Sequence, residues 1–145
     1  MLTAADQSKS PASHSLELRN DLSELQRMSV WIHRTGRLMG VPDAVLSDLD
    51  LCAAEAVTNI IDYSGCHWIR VRLIPGQGQV DLEVEDDGKS FNPLVYAPAP
   101  AAASLEQAHL GGRGILLVRG LMTECSYRRR DGKNIFTMSR ACAPR

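Results

Sequence analysis

The sequence has few aromatic residues, no long apolar run and almost no net charge. Phe, Trp and Tyr make up 5% of its 145 residues, and no run approaches the roughly 20 apolar residues that a membrane-spanning helix needs. The formal net charge of −1 argues against a nucleic-acid binder, which usually carries a basic excess. The one basic run, residues 128–130, is interpreted as the rim of a hairpin. We therefore expect neither nucleic acid nor a membrane as a partner.

Metal-ligand and export signals are also missing. The four cysteines, at positions 52, 66, 125 and 142, have no C-x-x-C spacing and are predicted to be reduced structural thiols. The four histidines are scattered, without a ligand spacing. The N-terminus has no apolar segment of the kind that a signal peptide contains. We expect a cytoplasmic protein with a flexible tail over residues 1–13 and one domain over residues 14–145.

Hydrophobic periodicity predicts the order β-α-α-β-β-loop-α-β-β. Residues 14–19 alternate as a strand. The first helix is predicted to start at Asp21, with Glu24 completing a capping box, and to end near Gly40. A second helix runs from about Asp43 to Ser64. Residues 68–74 and 80–85 form one hairpin, and the strands flanking residues 131–132 form another. This order predicts an α+β fold, a two-layer sandwich of a mixed or antiparallel sheet covered on one face by helices.

Three short motifs carry candidate chemistry, and the first lies on the second helix. Glu55 and Asn59 are four residues apart and therefore share a face. A carboxylate among apolar neighbours can act as a general base, and an amide oxygen is a ligand that suits Mg²⁺. The alternative is a solvated polar face.

The second motif, Asp86-Asp87-Gly88, follows a predicted strand. An Asp-Gly pair in that place is often only a turn. The functional alternative is that one carboxylate points into a pocket and accepts the amino hydrogen of adenine. Gly88 would then allow the backbone to pass close to the base.

The third motif, Gly-Gly-Arg-Gly-Ile at residues 111–115, opens the third helix. Glycines there expose backbone N–H groups, and a helix N-terminus favours anions. The motif is neither a Walker A sequence nor a Rossmann fingerprint, and a flexible helix entry is the alternative. Before it, residues 89–109 form a long loop with three prolines and an Ala-rich run, which is typical of a functional or mobile segment.

The ordered set of a helical Glu-x3-Asn, a strand-ending Asp-x-Gly, a long loop and a helix-opening Gly-x-Gly resembles the Bergerat (GHKL) ATP-binding fold over residues 14–140. The resemblance implies that Asn59 binds Mg²⁺, that Asp86 and Gly88 hold adenine, and that a lid covers ATP over about residues 89–110. It further implies that the helix entry binds the phosphates through the residues Gly112, Arg113, Gly114 and Ile115.

Within that group the chain is similar to the anti-sigma serine/threonine kinases. The run Asp-Asp-Gly-Lys-Ser-Phe-Asn-Pro is similar to their D-x-G-x-x-F-D-P, and Gly-Gly-Arg-Gly-Ile-x-Leu-Val-Arg to their G-G-x-G-L-x-L-I-R. Glu55 matches the carboxylate that serves there as general base. The departures are Asn92, in place of an Asp, and Asn134, where many relatives have Thr near the adenine. Arg113 and Lys89 are candidates for a γ-phosphate clamp.

This resemblance implies an Mg²⁺- and ATP-dependent kinase that phosphorylates a STAS-domain anti-sigma antagonist. A sigma factor and a homodimer are further partners that it leaves open. Two alternatives remain: a non-catalytic module that binds nucleotide or sequesters a partner, and a detached histidine-kinase catalytic domain.

Overall fold

The computed structural model describes residues 13–95 and 113–142. Its strands are β1 (His14–Arg19), β2 (Trp68–Gly76), β3 (Gln79–Asp86), β4 (Glu124–Arg130) and β5 (Lys133–Ala141), and its helices are α1 (Glu24–Leu38), α2 (Asp43–Tyr63) and α3 (Arg113–Leu121), with a short 3₁₀ turn at Pro93–Val95. The predicted order of elements is confirmed. The predicted tail and most of the predicted lid lie outside the described residues.

All five strands belong to one antiparallel sheet with the order β1-β2-β3-β5-β4. Successive strand residues point to opposite faces, and the buried positions alternate accordingly in β2 and the first half of β3. The buried face lies under the helices, with α2 packed against α1, α3 and β3. The predicted two-layer α+β sandwich is confirmed, and its sheet is antiparallel.

The core lies between the helices and the inner sheet face. Its fully buried side chains are Met28 and Ile32 of α1, Leu46, Leu49 and Val57 of α2, and the alternating apolar residues of β2, β3 and β5. Burying one such side chain stabilises the fold by about 1.5–3 kcal/mol. Because α2 contributes the longest set of core residues, the side chains on its remaining face are held in place by the packing.

The outer sheet face carries cross-strand ion pairs instead of a second helix layer. Arg70 pairs with Glu17 at 2.8 Å and with Glu85 at 3.3 Å, and Arg72 lies 3.4 Å from Glu83. The Arg70–Glu17 pair is exposed, and an exposed pair stabilises a fold by at most about 1 kcal/mol. These ion pairs keep the uncovered face polar and nearly neutral.

The predicted capping box at the start of α1 is wrong. The N-cap residue is Ser23, which makes no side-chain capping bond. Glu24 instead accepts a hydrogen bond from the backbone N–H of Arg19 at 2.8 Å and another from Arg27 Nε at 2.9 Å. Those bonds lower the pKa of Glu24 to about 2. The carboxylate thus fastens the end of β1 to α1.

The closing hairpin follows its sequence prediction closely. Asp131 and Gly132 have φ angles of 52° and 75°, as the two central residues of a type I′ turn require. The turn brings Arg129 opposite Asn134 and Tyr127 opposite Phe136. These pairs matter for the cavity described below.

In the described part of the chain, no helix combines the length and the apolar character needed to cross a membrane.

Candidate functional site

A small cavity lies between α2, the last residues of β3 and the closing hairpin. Its apolar walls are formed by side chains of α2, the sheet and the segment after β3, namely Ala56, Ile60, Val84, Phe91, Pro93 and Phe136. Four polar side chains also line it: Asn59, Asp86, Tyr127 and Asn134. Ligand sites usually combine apolar walls with a few polar groups.

Asp86 lies at the inner end of this cavity, and it is the carboxylate that the second motif predicted. It continues the buried alternation of Val80, Leu82 and Val84 and is 1% exposed. Its Oδ1 accepts hydrogen bonds from the Gly88 N–H at 2.8 Å and from Asn134 Nδ2 at 3.0 Å. Its Oδ2 is buried and has no hydrogen-bond partner among the described residues.

A buried acceptor without a partner costs about 1–3 kcal/mol. Burial raises the pKa of Asp86, and the hydrogen bonds from Asn134 and Gly88, together with the nearby Ser64 hydroxyl, only partly oppose this effect. A guest that donates a hydrogen bond to Oδ2 would relieve the cost. This oxygen is therefore the strongest indication of a ligand in the described structure.

The neighbours of Asp86 have different tasks. Asp87 accepts hydrogen bonds from the backbone N–H groups of His67 and Trp68, at 2.7 and 3.1 Å, and so anchors the start of β2. Gly88 lies against Ser64 at the end of α2, where a Cβ would collide with the Ser64 carbonyl oxygen. Packing against Ser64 thus explains why position 88 is a glycine, which the sequence did not suggest. The close approach of the Gly88 backbone to a base stays a prediction.

Asn134 connects the floor of the cavity to one of its walls. Its Nδ2 donates to Asp86 and, at 2.9 Å, to the Lys89 carbonyl. Its Oδ1 accepts from the Phe91 N–H at 3.1 Å, from Arg129 Nη1 at 3.0 Å and from the Tyr127 hydroxyl. We call Asp86, Tyr127, Arg129 and Asn134 the Asn134 cluster.

Sequence reasoning missed two members of this cluster. Residues 128–130 were interpreted as a hairpin rim, yet Arg129 donates to the Gly88 carbonyl at 2.8 Å as well as to Asn134. The signal was the period-two alternation of β4, which puts Cys125, Tyr127 and Arg129 on one face of the strand. Only the pairing of β4 with β5 shows that this face meets Asn134.

The segment after β3 forms a wall of the cavity by stacking on α2. The rings of Phe91 and Tyr63 lie 5.9 Å apart, with 22° between their planes. Farther along, Arg119 of α3 donates to the Leu94 carbonyl at 2.9 Å. The described beginning of the predicted lid is therefore held by α2, α3 and Asn134 together.

The first and third motifs meet where α2 passes the start of α3. Glu55 and Asn59 lie one turn apart on α2, and Asn59 lines the cavity with only 9% of its surface exposed. Gly114 is buried, and a Cβ placed on it would lie 2.6 Å from Glu55 Oε1. We call Glu55, Asn59 and Gly114 the Glu55 cluster.

Comparison with known proteins identifies the fold that carries these two clusters. A family model described as "Histidine kinase-like ATPase domain" matches residues 18–140. The chain belongs to this family. The predicted resemblance is thus confirmed, and the matched region contains both clusters.

Relatives of the histidine kinase-like ATPase domain agree with this assignment. The chain is 36% identical to "Serine/threonine-protein kinase BtrW" of Bordetella bronchiseptica over 66% of its own length and 70% of that protein. A crystal structure of the RsbU and RsbW domains of Rv1364c from Mycobacterium tuberculosis matches with a TM-score of 0.60 and 15% identity, over 90% of this chain and 32% of that one. The histidine kinase AdeS of Acinetobacter baumannii matches with a TM-score of 0.52 and 14% identity, over 96% and 72%.

The remaining predicted site residues of this ATPase domain lie at the entry to α3. Gly112 is outside the described residues, and of Arg113 only the backbone, the first residue of α3, is described. Ile115 is 3% exposed, and its side chain belongs to the hydrophobic core. A role for its side chain at the phosphates is therefore excluded, and only its backbone N–H is left for the predicted anion site. Lys89 has an exposed side chain and contributes backbone bonds to Ser64 and Asn134.

Proposed function

We propose that this chain is an Mg²⁺- and ATP-dependent protein serine/threonine kinase of the anti-sigma type. The observation that carries the proposal is the free, buried Oδ2 of Asp86 at the end of an apolar cavity. An adenine ring is flat and largely apolar, and its amino group is a hydrogen-bond donor, so its chemistry matches that of these walls and of this acceptor.

The Glu55 cluster supports the phosphoryl-transfer half of the proposal. Asn59 lines the same cavity and supplies a neutral oxygen donor, and such oxygens suit Mg²⁺. When bound, Mg²⁺ supplies neutralisation of phosphate charge. The start of α3 lies beside Glu55, and the N–H groups of a helix N-terminus bind anions well. The glycine at position 114 keeps that approach open.

Glu55 is the proposed general base. In the transfer step the hydroxyl oxygen of a Ser or Thr forms a bond to the γ-phosphorus, the bond from that phosphorus to the ADP oxygen breaks, and the hydroxyl proton passes to Glu55. Glu55 is half-buried, and it lies one helical turn before Asn59. This position lets it face the acceptor hydroxyl without holding the nucleotide.

The proposed acceptor is a STAS-domain antagonist, and a sigma factor is the proposed alternate partner. The relative named as a serine/threonine kinase and the fold shared with an RsbW domain support this choice. Phosphorylation would add a charge of about −2 to the contact, which gives a physical reason for release of the antagonist.

One observation favours a second candidate function, a non-catalytic nucleotide-binding module. Glu55 Oε1 packs against the position of Gly114 at the start of α3, and a carboxylate there also stabilises a helix N-terminus. In that role Glu55 would order the nucleotide site without accepting a proton. The module would then sequester its partner in a nucleotide-dependent manner.

The deciding experiment incubates the protein with Mg²⁺-ATP and a STAS-domain protein encoded beside it. We expect a single phosphorylated Ser or Thr on the antagonist, found by mass spectrometry, and none when ATP is replaced by a non-hydrolysable analogue. Binding of ATP and of the antagonist without any transfer would favour the non-catalytic module. Failure to bind ATP would overturn both candidates.

A further inference from the structure

The orientation of the Asp86 carboxylate is set by the hydrogen bonds that one of its two oxygens accepts. Rotation of a carboxylate about its terminal torsion is soft, so its hydrogen bonds decide which oxygen faces the cavity. In this chain Oδ1 is held by the Gly88 N–H and by Asn134 Nδ2, and Oδ2 is left without a partner among the described residues. The cavity therefore offers a guest a single acceptor at this point.

Asn134 is itself fixed from several sides. Tyr127, Arg129 and the Phe91 N–H all donate to its Oδ1. With the oxygen so engaged, the amide cannot flip without losing those bonds, and its NH₂ group must point at Asp86 and at the Lys89 carbonyl. Asn134 is 3% exposed, so water offers no substitute.

We propose that Asn134 is a positioning residue that determines which base the cavity accepts. It holds Asp86 with one oxygen turned inward, so the cavity takes a base with one amino donor next to a ring acceptor, as in adenine. Guanine presents two adjacent donors, N1–H and the exocyclic amino group, and would need both oxygens of a rotated carboxylate. This inference rests on the proposed nucleotide binding.

The same residue joins base recognition to the cavity wall. Asn134 is hydrogen-bonded to two backbone groups just after β3, the Lys89 carbonyl and the Phe91 N–H. Phe91 in turn stacks on Tyr63 of α2. A base that displaces Asp86 would therefore strain the wall as well, and this adds to the discrimination against guanine.

The test measures the ratio of the dissociation constants of Mg²⁺-GTP and Mg²⁺-ATP by calorimetry on the full chain. Guanine would leave a buried polar group without a hydrogen-bond partner in the wild-type cavity. This cost should make the dissociation constant of Mg²⁺-GTP about tenfold that of Mg²⁺-ATP or more. Asn134→Ala releases the carboxylate and should lower the ratio by about threefold or more. Tyr127→Phe removes one of the bonds that fix Asn134 and should lower it in the same direction by less.

Asn20→Ala is the matched control, because it also deletes an amide that donates to a backbone carbonyl, that of Cys66, at 2.8 Å. It should leave the ratio unchanged. Equal losses of ATP and GTP affinity in Asn134→Ala would show a merely structural residue and overturn the inference while nucleotide binding stands. A wild type that binds both nucleotides equally would also overturn it. If Asn134→Ala does not fold, the ratio for Tyr127→Phe decides, and a wild type that binds neither nucleotide ends the proposed function and the inference together.

Discussion

The Asn134 cluster and the Glu55 cluster occupy the same ATPase domain but are built in different ways. The Asn134 cluster depends on strand pairing, since β3 and β5 are neighbours and Asp86 lies opposite Asn134. Its members are joined to one another by hydrogen bonds. The Glu55 cluster is one face of α2 and one close approach of α3. If the proposed function holds, base recognition depends on the pairing of two strands, whereas phosphate binding depends on how two helices meet.

The largest expected effect tests the Glu55 cluster. Glu55→Gln keeps the shape of the side chain and deletes the base, so phosphoryl transfer should fall by about 10²–10⁴-fold while ATP affinity stays within a few-fold. Transfer is measured by phosphopeptide quantification and affinity by calorimetry. Glu124→Gln, an exposed carboxylate on β4, is the control. Equal transfer rates for Glu55→Gln and the wild type would remove Glu55 from the role of base.

The next effect tests the Asn134 cluster. Mg²⁺-ATP at 100 times its dissociation constant should stabilise the wild type by about 2.7 kcal/mol, and Asp86→Asn should abolish most of that gain. Because burial raises the pKa of Asp86, the ionised carboxylate disfavours folding at neutral pH. The free energy of unfolding of Asp86→Asn without nucleotide should therefore equal or exceed that of the wild type. Denaturant titrations with and without ATP measure both, and an undiminished ATP effect in the variant would remove Asp86 from the site.

Substitution of Gly88 or Gly114 by Ala should affect the two clusters differently, because the new methyl group meets different atoms in each. Gly88→Ala meets the backbone carbonyl of Ser64, which cannot move away, and should lower the free energy of unfolding by about 1–3 kcal/mol. Gly114→Ala meets only the end of the Glu55 side chain, and a helical Ala is favoured over Gly by about 0.5–1 kcal/mol. We expect Gly114→Ala to remain stable and yet to transfer phosphate more slowly, because Glu55 is displaced. Stability losses of equal size would contradict the proposed difference between the clusters.

The smallest effect concerns pH. A protonated Asp86 loses the charge that strengthens its bond to an amino donor, and its raised pKa brings that loss to a higher pH than for an ordinary Asp. ATP affinity should therefore weaken gradually as pH falls from neutral towards the ordinary Asp value of about 3.9. Asp86→Asn corrects for the titration of ATP itself, so the ratio of the two affinities is the measured quantity. A ratio that does not change with pH would place the titration of Asp86 below this range.

Much of the fold could be predicted from local patterns. The alternation of β2 and β3 and the Asp131-Gly132 turn are signals within a few residues, and the structure confirms them. The capping box was wrong because two other groups donate to Glu24. The prediction paired Glu24 with the backbone at the start of α1, whereas the structure pairs it with the Arg19 N–H at the end of β1 and with Arg27. Such competition depends on tertiary contacts that the pattern does not contain.

The residues of the candidate site also fall into two groups, those that local geometry predicts and those whose roles depend on tertiary contacts. Glu55 and Asn59 share a helical face, and Asp86 continues an alternating strand, so helix and strand geometry predicts their directions. The roles of Tyr127 and Arg129 could not be predicted, since they arise only when β5 is inserted between β3 and β4. The family resemblance placed Asn134 near the adenine but did not predict its bond to Asp86. The packing of Gly88 on Ser64 likewise joins two elements that are distant in the sequence.

The bonds of Asn134 also bear on how this domain can change over generations. A substitution at position 134 alone would remove the hydrogen bonds that Asn134 makes with the Tyr127 hydroxyl and the Arg129 guanidinium. It would also remove those with the Phe91 N–H and the Lys89 carbonyl. Acceptable replacements must therefore arrive together with changes on β4. Among descendants of this chain, positions 127, 129 and 134 should therefore vary as a set.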